Sequence, residues 1–200
     1  MTGLAVLGLV SIGNRRAFVT LKPAASVGFI AVALSAGALD SSYGRWILAG
    51  LVLGAVGDVA LLSTQDTPFL VGLSAFLLGH LAYVIALTPS ALDGDVLAIV
   101  AGVAVSAAVG LLAWRWIRPG VDGALRPPVI AYVTVISVML AAALASAGAR
   151  TLATLGAVLF TASDLGVARE RFLVPSAWNA RIGLPLYYAG QLLFAWSVGG

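Results

Sequence analysis

Two aspartates lie inside long apolar runs of the sequence, where a carboxylate is costly. Asp58 belongs to the run 46–62 and Asp164 to the run 151–168. A carboxylate inside a membrane-spanning helix must be paired, protonated or hydrated, so such a residue normally faces the helix bundle and marks function. Two carboxyl groups brought together in a low-dielectric interior cannot easily both ionise, so the pair would supply an acid and a base in one site. A protonated Asp that makes only an interhelical hydrogen bond is the alternative interpretation.

Further polar residues are expected at the same end of the helices as the two aspartates: Lys22, Tyr132, Ser163, Tyr187, Tyr188 and Gln191. A Tyr in such a place is also typical of the membrane interface, whereas an amide in mid-helix, as at Gln191, needs a hydrogen-bond partner. Asp58 and Asp164 are expected about 7 Å and about 6 Å from the ends of their helices. His80 is expected about 10 Å deeper than this pair, orienting or lining a pocket.

The composition tells which kind of protein must position these groups. Hydrophobic residues make up 61% of the 200 residues and charged residues 10%, against about half and about a quarter in soluble proteins. A soluble fold cannot hide so much apolar surface, so an integral membrane protein is predicted. The net charge is +3, and all 11 Lys and Arg residues lie between the apolar runs, so they set topology and do not indicate nucleic-acid binding. With no Cys and one His, thiolate and iron–sulfur sites are excluded and a His-rich metal site has almost no scope.

Eight apolar runs approach the length of about 20 residues that a spanning helix needs: 2–13, 23–39, 46–62, 68–88, 95–114, 127–147, 151–168 and 184–198. The predicted fold class is an all-α membrane protein, a bundle of eight transmembrane helices forming one domain, 1–200. The first run is short, because about 12 residues rise only about 18 Å. Pro23, Pro68, Pro127 and Pro185 begin the even-numbered runs, so each is expected in the first turn of its helix, where a missing N–H costs nothing.

The charged residues between the runs predict the orientation. Nine of the 11 Lys and Arg residues share one side, and Arg45 and Arg150 occupy the other. Under the positive-inside rule the first side is cytoplasmic, and both termini are extracytoplasmic. The dominance of Arg over Lys and the abundance of Ala favour a bacterial source, so we expect a multi-pass protein of the bacterial inner (plasma) membrane.

Short motifs, in order from residue 22 to 194, carry a resemblance: Lys22-Pro23, Gly57-Asp58, Phe69 to Gly72, Phe76 to Tyr83 with Gly79-His80, Tyr132, Gly156-Ala157 with Phe160, Ser163-Asp164, and Tyr187-Tyr188-x-x-Gln191. In these features the chain resembles the YhhN-like lysoplasmalogenase family. The resemblance implies hydrolysis of the vinyl ether bond of a lysoplasmalogen to a fatty aldehyde and glycerophospho-ethanolamine or -choline. Asp58 and Asp164 correspond to the presumed catalytic acids of that family.

Vinyl ether hydrolysis fits a pair of carboxyl groups. One carboxyl donates a proton to the olefinic carbon, and the other stabilises the oxocarbenium ion and activates water, as two carboxylates do in glycoside hydrolysis. No metal or organic cofactor is required. The expected partner is a lysophospholipid within the bilayer, with its tail between helices, its phosphate toward Lys22 or a nearby Arg, and its amine near the Tyr cluster. Which Asp is the acid, and the oligomeric state, stay open.

Other classes also use membrane carboxylates. A proton-coupled transporter would place the same Asp pair in a proton relay and move a solute unchanged. An intramembrane aspartyl protease would need Gly-x-Gly-Asp, but Ala55 stands where the first Gly is required. A structural membrane protein would leave the pair without a purpose. Burial also predicts that Asn at either position is at least as heat-stable as Asp, because Asn removes the cost of a buried carboxylate without leaving a cavity.

Overall fold

The computed structural model describes residues 15–63 and 65–200 of the chain, and this part is all-helical, with no strand. Its α-helices are α1 (Arg15–Ser35), α2 (Ser42–Ala60), α3 (Asp66–Leu92), α4 (Val96–Ile117), α5 (Arg126–Ala145), α6 (Thr151–Phe172) and α7 (Ala177–Trp196). Short 3₁₀ turns occupy Arg118–Gly120, Gly123–Leu125 and Ser197–Gly199. Each of the seven predicted runs from 23–39 onward overlaps one helix, while the predicted run 2–13 lies outside the described residues.

Membrane-spanning length and hydropathy are found in 5 helical segments of the described chain, those of α2 to α6. The chain is therefore a multi-pass membrane protein of all-α class. The eighth span and the positions of the termini remain predictions.

The starts of α1 and α7 correct the sequence-based boundaries. Pro23 and Pro185 lie inside these helices, because α1 begins at Arg15 and α7 at Ala177. The expectation that both stand in first turns was wrong. A proline removes one backbone donor, and neighbouring helices and hydroxyl groups can satisfy the freed backbone inside a bundle. Pro127 does stand in the first turn of α5.

The helix ends have ordinary local causes. The Ser41 hydroxyl accepts the Gly44 N–H at 2.9 Å and caps α2. The Asp95 carboxylate accepts the Leu97 N–H at 2.9 Å and caps α4. Between α1 and α2 the chain turns at Gly37, whose φ of 84° is a conformation that favours glycine.

Small residues let the helices that carry the site approach one another. α2 packs mainly against α3, α4 against α5 and α6 against α7, while α1 contacts α2 and α7. Gly50 of α2 lies directly against the Tyr83 ring, and Gly54 lies against the Gln191 amide. A methyl group at either glycine would collide with these side chains. The face of α2 that carries Gly50, Gly54 and Asp58 at four-residue spacing is therefore the surface that receives α3 and α7.

One arginine joins several elements at the end of the bundle where α6 begins. Arg150, the residue before α6, donates to the Gly200 carbonyl oxygen at 3.1 Å and to Ser90 Oγ of α3 at 3.4 Å. Its guanidinium carbon lies 4.0 Å from the centroid of the Tyr43 ring of α2. The Tyr43 hydroxyl in turn bonds Ser197 Oγ at 2.6 Å. The Arg150 cluster thus ties α2, α3 and the chain after α7 together.

Candidate active site

A cavity of about 580 Å³ lies among the helices, and both Asp58 and Asp164 line it. One part of its wall is apolar and comes from α4 and α5, with the side chains of Val109, Ala113, Val133, Ile136 and Leu140. Another part comes from the ends of α2 and α6 and is polar, with Ser63, Glu170 and Arg171. The cavity therefore offers an apolar compartment and a polar end, as a single-chain amphiphile requires.

Asp58 is buried, 1% exposed, and receives three donors. Its Oδ1 lies 3.2 Å from Lys22 Nζ of α1. Its Oδ2 accepts hydrogen bonds from Ser26 Oγ and from the Tyr187 hydroxyl, each at 2.7 Å. An ammonium and two hydroxyl donors compensate an ionised carboxylate in a buried place.

A second layer of hydrogen bonds orients these donors. The Gln191 amide, which is 0% exposed, donates to the Tyr187 hydroxyl at 3.1 Å and accepts from the Tyr83 hydroxyl at 2.7 Å. The Tyr188 hydroxyl donates to the Lys22 carbonyl oxygen at 3.3 Å. The partner that an intramembrane amide needs is thus present, and it links Gln191 to the Asp58 site.

Asp164 has different neighbours. The Tyr132 hydroxyl of α5 donates to Asp164 Oδ2 at 2.5 Å. His80 Nε2 of α3 lies 3.8 Å from the same oxygen. Asp58 and Asp164 therefore occupy one cavity with separate sets of partners, and the sharing of one proton between them remains a prediction.

The tautomer of His80 follows from its other nitrogen. Nδ1 lies 2.6 Å from the Phe76 carbonyl oxygen, which can only accept, so Nδ1 carries the hydrogen. In the neutral ring, Nε2 then presents a lone pair toward Asp164. Nε2 is buried and has no hydrogen-bond partner among the described residues. The separation of 3.8 Å is too long for a hydrogen bond, and a protonated Asp164 would offer this acceptor a donor at closer range.

The depth predicted for His80 was wrong. The sequence placed it about 10 Å beyond the aspartates, whereas its ring is a direct neighbour of Asp164. The cause is the length of α6, which continues to Phe172 rather than ending at 168. Asp164 therefore lies about 12 Å from the end of its helix, twice the expected depth.

Packed aromatic rings connect the surroundings of the two carboxyl groups. The Phe160 ring lies 4.7 Å from the His80 ring and 5.3 Å from the Tyr187 ring, measured between centroids. The Phe76 ring packs edge-on against Phe160 and Tyr187, at 6.1 Å and 5.9 Å. The His80 ring beside Asp164 and the Tyr187 ring beside Asp58 are therefore held in one packed cluster.

Ser163 has a role that its position beside Asp164 did not indicate. It lines the cavity, and its hydroxyl donates to the Gly183 carbonyl oxygen at 2.9 Å, which joins α6 to α7. Sequence reasoning missed Ser26 and did not assign Tyr83 to the site. Ser26 follows Lys22 by four residues, and this spacing on one helix face was the available signal.

Metal-ligating groups are sparse in the described ranges. No cluster of three or more His, Cys, Asp or Glu side chains there could hold a metal ion. The chemistry that the cavity can perform with its own residues is proton transfer between carboxyl, hydroxyl and imidazole groups.

Comparison with known proteins now adds to this geometry. The chain is 36% identical over 169 residues to the lysoplasmalogenase of Mycobacterium tuberculosis (strain CDC 1551 / Oshkosh), covering 80% of this chain and 62% of the relative. It is 33% identical over 159 residues to human lysoplasmalogenase TMEM86A, covering 76% and 64%. Human lysoplasmalogenase TMEM86B is 32% identical over 158 residues, covering 79% and 65%.

The chain spans less than two thirds of the length of these curated relatives, between 62% and 65%. No solved structure matches it. The YhhN family profile matches residues 17–198, which include every residue that lines the cavity. On this match, the chain belongs to the YhhN family.

Proposed function

We propose that this protein is a membrane hydrolase that cleaves the vinyl ether bond of lysoplasmalogens, releasing a fatty aldehyde and glycerophospho-ethanolamine or -choline. The observation that carries the proposal is one amphiphile-sized cavity lined by a buried carboxyl group, Asp58, and a half-buried one, Asp164, with different partners. The names of its relatives give the reaction class. We place the protein in the inner membrane of a bacterial cell, as a single domain.

The hydrogen-bond donors around each Asp support an assignment of roles. Asp58 receives Lys22, Ser26 and Tyr187, so it is the ionised carboxylate. Asp164 accepts one hydrogen bond from a neutral hydroxyl and lies 3.8 Å from His80 Nε2, so we assign it as the protonated carboxylic acid. A protonated and an ionised carboxyl group in one cavity are the general acid and the general base.

The reaction then proceeds in balanced proton steps. Asp164 gives its proton to the olefinic carbon that is not bonded to the ether oxygen. The π electrons form the new C–H bond, and an oxocarbenium ion results. Asp58 stabilises this cation. It then takes a proton from water while the water oxygen bonds to the carbon that carries the ether oxygen. The hemiacetal then collapses: its hydroxyl proton returns to Asp164, and Asp58 protonates the departing glycerol oxygen. Aldehyde and alcohol leave, and both carboxyl groups regain their starting states.

The other predicted residues hold this arrangement or line the substrate space: Lys22, His80, Tyr132, Ser163, Tyr187, Tyr188 and Gln191. The substrate is a lysophospholipid taken from the bilayer. Its hydrocarbon tail lies in the apolar compartment between α4 and α5, and its polar part lies toward the ends of α2 and α6.

The test is incubation of detergent-purified protein with a lysoplasmalogen and with a saturated lysolipid as control, with mass spectrometry of the aldehyde. Asp58→Asn and Asp164→Asn should each lower turnover at least about 100-fold, and the double variant should be little worse. Asp122→Asn, which changes an exposed loop carboxylate, should match the parent. A variant at 58 or 164 that folds and keeps more than about a tenth of parental turnover would remove that residue from catalysis.

The transporter alternative makes a different prediction for the same Asp pair. Sealed vesicles containing the protein would accumulate a solute without chemical change, and purified protein would release no aldehyde from lysoplasmalogen. That combination of results would replace the hydrolase proposal.

A further inference from the structure

We propose that Arg171 binds the phosphate group of the lysolipid substrate, an inference that rests on the proposed function. Among the described residues that line the cavity, two are cationic, Lys22 and Arg171. The Lys22 ammonium is buried, 8% exposed, and is paired with Asp58. Lys22 therefore serves the carboxylate at the reacting end of the cavity, and Arg171 is the cation at its polar end.

The Arg171 guanidinium is held in place at the cavity wall. Its central carbon lies 4.4 Å from the centroid of the Phe69 ring, and Phe69 also lines the cavity. The Phe69 ring packs edge-on against Phe172 at 6.3 Å. A guanidinium stacked on an immobilised ring keeps its N–H groups in a fixed plane, and this arrangement suits bidentate contact with a phosphate.

The existing partner of Arg171 leaves room for an anion. Its Nη2 donates to Asp66 Oδ1, and the Asp66 side chain is 83% exposed and lies outside the cavity lining. An exposed ion pair of this kind contributes little stability. A guanidinium carries five N–H donors, so a phosphate oxygen can bind beside Asp66 or displace it.

The spacing of Arg171 from Asp164 matches the substrate. The two residues are seven apart on α6, which is close to two full turns, so they share one helix face about 10 Å apart. In a lysoplasmalogen, seven bonds separate the carbon that takes the proton from the phosphorus. Extended single-bonded chains advance about 1.2 Å per bond, so this distance is about 8 Å. A lipid whose olefinic carbon meets Asp164 therefore brings its phosphate to Arg171.

Acidic groups beside Arg171 extend the match to the headgroup. Glu170 lines the cavity, and its carboxylate accepts the Ser176 N–H at 2.7 Å. With the phosphate on Arg171, the ammonium of an ethanolamine or choline group lies near the carboxylates of Asp66 and Glu170. The site is thus built for a zwitterionic phosphodiester.

The experiment compares two vinyl ethers, alkenyl-glycerophosphoethanolamine and alkenylglycerol, which lacks the phosphate. In Arg171→Gln, the parental preference in kcat/KM for the phosphorylated substrate should fall at least about 10-fold, mostly through KM. The preference of Arg171→Lys should lie between those of the parent and Arg171→Gln, because an ammonium keeps the charge but is a point charge without the planar donors of a guanidinium. Arg115→Gln, which changes an exposed arginine outside the cavity lining, should keep the parental preference. An equal loss on both substrates would mean a structural role and would overturn the proposal.

Binding of non-cleavable lipids gives a second measurement that does not need turnover. A saturated alkyl ether lysophosphoethanolamine should bind the parent at least about 10-fold more tightly than Arg171→Gln, and the corresponding alkylglycerol should show no such difference. If neither vinyl ether is cleaved but this difference appears, the proposed function fails and the phosphate site stands. Inorganic phosphate that inhibits cleavage of both vinyl ethers equally would identify a free-phosphate site and overturn the assignment to substrate.

Discussion

Neutralising Lys22 should destabilise the protein through the carboxylate that it leaves behind. Lys22 is 8% and Asp58 1% exposed, and Nζ and Oδ1 are 3.2 Å apart. Removing one partner of a buried ion pair costs about 3–5 kcal/mol, because the other charge stays buried and uncompensated. Lys22→Met and Asp58→Asn should each show this loss. The double variant, in which neither charge is present, should lie within about 1 kcal/mol of the parent.

The assay is thermal unfolding in detergent, followed by the fluorescence of the 5 Trp residues. At about 2–4 °C per kcal/mol for a chain of this size, each single variant should lose on the order of 10 °C in Tm. The matched control is the exposed pair of Arg171 and Asp66, with side chains 30% and 83% exposed. Arg171→Met and Asp66→Asn should each change the stability by less than about 1 kcal/mol.

The double variant decides whether this reasoning holds. If its loss equals the sum of the two single losses, the groups are not coupled and the ion pair does not explain the burial of Lys22. A Lys22→Met protein with the parental Tm would refute the argument equally, since the carboxylate would then tolerate burial without its cation.

Three further predictions follow from the packing, the site and the charge distribution. Gly54→Ala should lower the stability by about 1–3 kcal/mol, because its methyl group would lie 2.5 Å from Gln191 Nε2. The control in a Tm measurement is Gly123→Ala, whose methyl group would have nothing within 4 Å, and equal Tm values for the two variants would contradict the packing. Tyr132→Phe should lower kcat about 10- to 100-fold in the aldehyde assay by removing the donor to Asp164, and parental kcat would exclude that role. A reporter that fluoresces only in the cytoplasm should stay dark when fused after Gly200, and a bright signal would reverse the predicted orientation.

Apolar runs and intramembrane polar residues are what the sequence predicts well. The apolar run around Asp58 predicts a spanning helix, and the structure has α2 there. The four-residue spacing of Gly50, Gly54 and Asp58 is visible in the sequence, and it marks the face where other helices approach. Gln191 was expected to need partners because an amide in a bilayer has no water to bond. It has two, Tyr83 and Tyr187.

Pairings between distant helices are what the sequence could not provide. Lys22 and Asp58 lie on different helices, so nothing local shows that they form an ion pair. The sequence therefore predicted that Asn at 58 is at least as stable as Asp, whereas the ion pair reverses the sign of that expectation. The same prediction stays in force for Asp164, whose hydrogen-bonding neighbour is the neutral Tyr132. The extent of α6 to Phe172 was also missed, because its last turn contains Arg169 and Arg171 and reads as a loop by hydropathy.

The Arg150 cluster gives the two ends of the bundle different freedom to move. It fastens α2, α3 and the chain after α7 at the end opposite Ser63 and Arg171, so these elements cannot separate there without breaking its contacts. For these tethered elements, we expect a motion that widens the cavity to be a tilt that pivots near Arg150. Over a helix about 30 Å long, a tilt of about 8° opens the far end by about 4 Å, the contact distance between two carbon atoms. A small tilt of the tethered helices would therefore be enough to admit a hydrocarbon chain at the far end while the contacts at Arg150 stay intact.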